Sequence, residues 1–290
     1  MAAALSLSLS CRTALITGAA TGIGRAIALA FAQAGAAVVV NHLGRSMQAD
    51  ALVQEIHHLG GQAWALEADV SQSADVSRLA AQVQQTCGGL DVLVNNAGIL
   101  QEKPFLQTTE ADWDQMLGVD LKSVFLTCRA FLPGMLAHQS GVGEGCPQQS
   151  DPNIRPHPNP LPGGEGISPH QVESRQGVII NIASDLALLG RAQFAPYCAA
   201  KAGVIGLTRS LAREFAPQIR VNAIAPGPVA TAMVSLEAMS QSAIDKELEI
   251  PQHRIAEPQE IAATALFLAS DLSRFYCGQV LGPNGGSVMP

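Results

Sequence analysis

The sequence predicts an α/β domain built on a doubly wound parallel sheet, and three observations predict it. Five apolar, β-branched runs recur at 12–17, 36–41, 90–96, 177–184 and 219–225. Helical periodicity fills the intervals, at 23–34, 46–59, 73–86, 110–138, 197–215 and 258–269. Such alternation calls for parallel strands covered by helices on both faces. The third observation is composition: of 290 residues, 48% are apolar and 14% charged, enough to bury a large core and to exclude a mainly disordered chain.

Taken in order, residues 1–11 are small and apolar but lack a positive n-region, so they read as a flexible tail rather than a signal segment. Residues 12–288 read as one catalytic domain. The strand at 12–17 ends in Thr-Gly-Ala-Ala-Thr-Gly-Ile-Gly, residues 17–24, directly before a helix. Gly18, Gly22 and Gly24 let the backbone turn tightly and approach a pyrophosphate, which the free N–H groups of the helix start would face. The rhythm breaks at 141–176, where seven of the 17 prolines fall and no aromatic residue occurs. That stretch reads as a disordered surface insertion.

A net charge of −7 provides no general attraction for nucleic acid or anionic lipid. No apolar run approaches the roughly 20 residues that cross a bilayer. The six cysteines are scattered, without a CxxC pair or clustered histidines, which points to neither a metal site nor a disulfide framework and suits a reducing cytoplasm.

Tyr197 and Lys201 stand four residues apart on an expected helix, on one face and within side-chain reach. A free phenol has a pKa of about 10, and a neighbouring ammonium favours its anion. The expectation is therefore an unusually acidic Tyr197, acting as acid in a reduction and as base in an oxidation.

These features together resemble the short-chain dehydrogenase/reductase family and its Rossmann-type fold over about 12–288, the insertion excepted. The Gly-x-x-x-Gly-x-Gly spacing, Asp69-Val70, Asn95-Asn96-Ala97-Gly98, Tyr197-x-x-x-Lys201, Ser184 thirteen residues before the tyrosine, and Pro226-Gly227-Pro228-Val229-Ala230-Thr231 all match its motifs in order. The resemblance implies that Ser184 stabilises the substrate oxygen, that Lys201 also holds the nicotinamide ribose, and that no metal is needed. It implies cofactor contacts from Gly18, Thr21, Gly22, Ile23, Gly24, Asn41, Arg45, Asp69, Val70, Asn96, Ala97, Gly98, Tyr197, Lys201, Pro226, Gly227, Val229 and Thr231.

NADP(H) is favoured over NAD(H), because the carboxylate an NAD site offers to the ribose is here Asn41, and Arg45 can pair with a 2′-phosphate. Against it, Thr21 stands where many NADP-using relatives carry a basic residue. A second departure is Asp120, in Val119-Asp120-Leu121, where the family's proton-relay Asn is usual. An ionised Asp120 beside Lys201 offsets part of the field on Tyr197.

Within the family the chain is most similar to the 3-oxoacyl-(acyl-carrier-protein) reductase-like branch, through GQVLGPNGG at 278–286, ALVQEI and AREFAP. The first expectation is reduction of a 3-oxoacyl thioester. The segment 228–253 is the expected lid, with Met233, Leu236, Met239, Ile244 and Ile250 as its apolar underside. Gln218 replaces a basic residue of that branch and Arg175 adjoins the insertion, so docking of an acyl carrier protein is weakened or lost. That leaves a broader carbonyl reductase or alcohol dehydrogenase, or a non-catalytic dinucleotide-sensing protein, as alternatives. The resemblance also implies a homotetramer paired through 110–138 and 197–215, where Phe125, Phe131, Leu211 and Phe215 are interface or core.

Overall fold

The computed structural model describes residues 7–140, 176–231 and 241–289. Seven parallel strands form one sheet: β1 Thr13–Ile16, β2 Ala37–His42, β3 Gln62–Glu67, β4 Val92–Asn95, β5 Gly177–Ile182, β6 Ile219–Ile224 and β7 Val280–Leu281. Their spatial order is β3-β2-β1-β4-β5-β6-β7. The order in which strands are added to the sheet reverses between β1 and β4, and a crevice opens at such a switch point beyond the strands' C-terminal ends. The expected doubly wound α/β class is what the chain adopts.

Alternation along each strand supplies two cores. Ala14 and Ile16 of β1 face one layer with α1 Gly22–Gln33, α2 Ser46–His58 and α9 Pro258–Ala269, represented by Phe31, Ile56 and Leu268. Leu15 faces the other, with α3 Ser73–Cys87, α5 Ser123–Ser140 and α7 Ala195–Phe215, represented by Leu79, Met135 and Val204. Among the described residues no helix is long and apolar enough to cross a membrane.

Two strands exceed the five read from the sequence. β3 is an edge strand in which only Ala63 is buried, so it leaves no continuous apolar run, and β7 has two residues. The single helix expected at 110–138 is three pieces: α4 Glu110–Leu117, a π-helical turn Gly118–Lys122, and α5. The tail does not stay free along its length: Leu9 is fully buried and its N–H donates to Ala34 O at 2.8 Å. Cys11 is disulfide-bonded, a bond that the scattered cysteines, read as pointing to no disulfide framework, did not announce. The insertion lies outside the described residues, apart from Gln176, whose amide donates to Pro217 O at 2.8 Å. Of the four apolar residues left open between interface and core, Phe131 is buried in the core and Phe125 is 46% exposed.

A buried polar chain locks the helices that carry the site to the centre of the sheet. Thr127 Oγ1 donates to Asn95 Oδ1 at 2.6 Å, Asn95 Nδ2 to Asn181 Oδ1 at 2.8 Å, and Asn181 Nδ2 to Thr208 Oγ1 at 2.9 Å. It joins α5, β4, β5 and α7, and satisfied networks of this kind fix one arrangement of the elements they connect.

Candidate active site

The turn after β1 is shaped by the absence of side chains. Gly18 and Gly22 have φ of +61° and +57°, in the left-handed region that favours glycine. A Cβ on Gly18 would stand 3.0 Å from Ala97 Cα; one on Gly24 would stand 2.5 Å from Asn96 Nδ2 and 2.7 Å from Gly18 O. The loop after β4 braces the turn. Thr17 Oγ1 accepts from the N–H groups of Asn96 and Ala97, both at 2.9 Å, and Asn96 Nδ2 donates to Thr17 O at 2.9 Å.

Above the turn lies a cavity of about 1630 Å³. Every residue expected at the site lines it except Gly24, whose smallness instead lets α1 close against the β4 loop. Asn41 faces it, but its amide is already committed, donating to Leu66 O at 3.3 Å and Ala68 O at 3.1 Å and accepting from Gly18 N at 3.4 Å. It ties β2, β3 and the turn together. The adjacent His42 is buried, lines the cavity, and has an Nδ1 without a hydrogen-bond partner. Arg45 is exposed at the rim, immediately before α2. Asp69 Oδ1 accepts from Ser71 N and Oγ at 2.9 and 2.7 Å.

At the other end, α7 brings Tyr197 and Lys201 onto one face beneath Ser184, which follows β5. The Lys201 ammonium donates to Ile182 O at 3.1 Å, lies 3.2 Å from Asp120 Oδ2 and stands 5.7 Å from the centre of the Tyr197 ring. Asp120 is fully buried in the π-helical turn, and the Ile99 N–H donates to its Oδ1 at 2.8 Å. The wider turn is where the expected long helix breaks, and π-turns recur at functional sites. Gly98 leaves the pair room: a Cβ there would lie 3.0 Å from Asp120 Oδ2.

Burial pushes the Tyr197 phenol above its ordinary pKa; Lys201 pulls it down, while the charges of Asp120 and Asp185 push it further up. This corrects the expectation of an acidic phenol, because desolvation of the anion outweighs the ammonium. Burial by itself would strip charge from Lys201, yet Asp120 and Tyr197 hold it above the usual lysine range, so it stays a cation. Asp120 is pushed up by burial despite Lys201 and the Ile99 N–H.

The sequence reading passed over four groups at this end. Asp185 is buried beside Ser184, with Ser287 Oγ donating to its Oδ2 at 2.6 Å. Arg191, over the Phe194 ring, pairs with Glu247 at 2.5 Å. All four line the cavity. Neither spacing nor periodicity marks them, since they join segments far apart in the chain. On the lid side, Pro226, Gly227, Val229 and Thr231 line the cavity, and Ile250 does so with them. Ile244 is half-buried and does not. Met233, Leu236 and Met239 lie outside the described residues, as does Arg175.

The chain is similar to known proteins along most of its length. A family model described as short chain dehydrogenase matches residues 12–142, and one described as Enoyl-(Acyl carrier protein) reductase matches 167–287. The chain is 36% identical over 280 residues to the 3-oxoacyl-(acyl-carrier-protein) reductase FabG of Staphylococcus epidermidis, covering 96% of this chain and 99% of that one. It is 35% identical to the FabG of Thermotoga maritima, covering 96% and 98%. Among solved structures it resembles a short-chain type dehydrogenase/reductase from Mycobacterium marinum, with a TM-score of 0.80, 31% identity and 98% of each chain covered. A candidate NAD(P)-dependent gluconate 5-dehydrogenase from Beutenbergia cavernae, with NADP bound at low occupancy, gives 0.79 and 35%, covering 97% of this chain and 98% of that one. The chain belongs to the short-chain dehydrogenase family and is an NAD(P)-dependent oxidoreductase on a Rossmann-type fold.

Proposed function

We propose that the protein reduces the ketone of a 3-oxoacyl thioester to the 3-hydroxyacyl form, with NADPH preferred. The observation that carries this reading is the meeting of Ser184, Tyr197 and Lys201 on one wall of the cavity whose floor is the glycine turn. The FabG relatives, 3-oxoacyl-(acyl-carrier-protein) reductases by name, support the choice of substrate.

The residues present fit a dinucleotide: two left-handed glycines and a helix start leave a cradle that a Cβ would fill, and His42, whose buried Nδ1 has no hydrogen-bond partner, lines the same space. Gly18, Thr21, Gly22 and Ile23 would hold the pyrophosphate, Asp69 and Val70 the adenine, and Asn96, Ala97 and Gly98 the adjoining ribose. Pro226, Gly227, Val229 and Thr231 would meet the nicotinamide side. Arg45 at the rim, with His42 behind it, would hold a 2′-phosphate. When bound, the nicotinamide supplies hydride chemistry at the substrate carbon.

Tyr197 then donates its proton to the carbonyl oxygen. A phenol pushed upward remains protonated at neutral pH, the form that a reduction requires. Lys201 stabilises the phenolate left behind, and Ser184 hydrogen-bonds the substrate oxygen. Asp120 holds Lys201 from below and fixes the β4 loop through Ile99.

A second reading, oxidation or reduction of a free polar molecule, is favoured by the charged lining at the substrate end, where Arg191, Lys246, Glu247 and Glu249 all border the cavity. NADPH consumption with a 3-oxobutanoyl thioester, compared with a panel of free ketones and NADP⁺-dependent oxidation of hydroxy acids, separates the two. A thioester kcat/KM at least tenfold above every free compound supports the first reading; turnover confined to free compounds overturns it.

A further inference from the structure

The geometry points to Asp185 as a positioning residue that directs the Ser184 hydroxyl and makes the C-terminal segment, through Ser287, part of the reaction centre. This rests on the reading of Ser184 as the group that meets the substrate oxygen. Asp185 precedes the short helix Leu186–Leu189, but its carboxylate does not cap that helix. Its two oxygens are spent elsewhere. Oδ1 accepts from Ser184 Oγ at 3.2 Å and Oδ2 from Ser287 Oγ at 2.6 Å, while its own N–H donates to Pro226 O at 3.0 Å.

The side chain is therefore held by the two serine hydroxyls and by the Leu186 N–H, 6% exposed, in the wall of the cavity that Ser184 and Ser287 also line. A buried carboxylate is costly unless hydrogen-bonded, and burial does push Asp185 upward, with the nearby Glu247 adding to it. Among the described residues no cation figures in what pulls Asp185 back down, and Arg191, which borders the same end of the cavity, is engaged by Glu247.

Its placement has a chemical consequence. A serine hydroxyl has one proton and two lone pairs. The Leu186 N–H takes one lone pair at 3.2 Å, and Asp185 takes the proton. One lone pair then remains to face ligand and Tyr197, and Ser184 turns its proton to a carbonyl oxygen only by leaving Asp185. The carboxylate sets the resting direction of the hydroxyl from which the reaction starts. Ser287 sets the position of the carboxylate, 102 residues away in sequence.

The test is a set of single-turnover measurements with enzyme in excess over NADPH, on whichever carbonyl compound the wild type reduces fastest. Asp185→Ala, Asp185→Asn and Ser287→Ala are each made alone and in a Ser184→Ala background, with NADPH binding read by fluorescence. The expected result for Asp185→Ala is a rate change of about tenfold, with NADPH affinity and substrate KM within twofold, because the side chain's hydrogen bonds go to Ser184, Ser287 and the Leu186 N–H and none to the glycine turn. Asp185→Asn, which keeps an acceptor for Ser184, recovers most of the rate, and Ser287→Ala gives a change of the same sign and smaller size. In the Ser184→Ala background all three changes vanish.

A wild-type rate in Asp185→Ala, or an equal fold-change with and without the Ser184 hydroxyl, overturns the proposal. Should Asp185→Ala not fold, Asp185→Asn and Ser287→Ala carry the same comparison. Failure of the thioester alone, with a free ketone turned over, overturns the substrate reading and leaves this test intact.

Discussion

The two ends of the cavity are built from different materials. The nucleotide end is made of backbone: glycines at positive φ, a helix start, and a turn braced by Thr17 and Asn96. The reacting end is made of buried charge: Lys201 between Asp120 and Ile182 O, with a second buried carboxylate, Asp185, in the lining of the same cavity. The first works by leaving room and the second by balancing desolvation against attraction. A side chain added to the first should break it outright, while a charge altered in the second should retune it.

The largest expected effect lies at the reacting end and tests the proton donor directly. Tyr197→Phe lowers kcat by about 10³-fold or more, toward the upper range for loss of a general acid, while NADPH still quenches protein fluorescence with near wild-type affinity. A kcat within tenfold of wild type would remove Tyr197 from its role.

Next comes the steric test of the nucleotide end. Gly24→Val forces side-chain atoms into Asn96 Nδ2 and Gly18 O, so we expect about 2 kcal/mol or more of lost stability from overpacking and loss of NADPH binding by titration. Normal binding in that variant would show that the β4 loop yields to α1.

A buried hydrogen bond sets the third expectation. Thr127→Ala leaves Asn95 Oδ1 without that donor, at a cost of about 1–3 kcal/mol on urea denaturation. The site residues keep their identity in this variant, so a fall in kcat beyond the loss of folded protein would show that the polar chain aligns α5 with α7.

The smallest effect is the most discriminating between the two kinds of construction. The Asp120 charge raises the Tyr197 pKa, so Asp120→Asn lets Lys201 act unopposed and lowers it. Alcohol oxidation needs the phenolate; its rate should therefore rise with pH at a lower pH than in the wild type, with kcat at the plateau within fivefold. A pH profile identical to wild type would mean that the Asp120 charge is not felt at the phenol.

What could be read in advance follows the same division. Gly18, Gly22 and Gly24 were legible because a tight turn between strand and helix restricts residue type locally, and Tyr197 and Lys201 because four residues is one helical turn. The β3 strand was not legible: an edge strand with one buried residue leaves no hydrophobic signature. Nor was the break in the helix at Gly118–Lys122, where a wide turn differs from an α-turn by one residue and no proline or glycine pair marks it. Asn41 lines the cavity, but that its amide also ties β2 and β3 to the turn was not legible, because those partners are fixed by sheet order.

By itself, the sequence determined the layer architecture, the glycine turn and the spacing of Tyr197 with Lys201, because each depends on residues within a turn or two of one another. Only the tertiary structure decided the direction of the phenol's pKa, since desolvation depends on what surrounds the ring and not on its helical neighbour. The same holds for Asp185, which meets Ser287 only after the chain has crossed β6 and β7. Charges and hydrogen bonds between distant segments acquire their strength from burial, and burial is a property of the assembled fold.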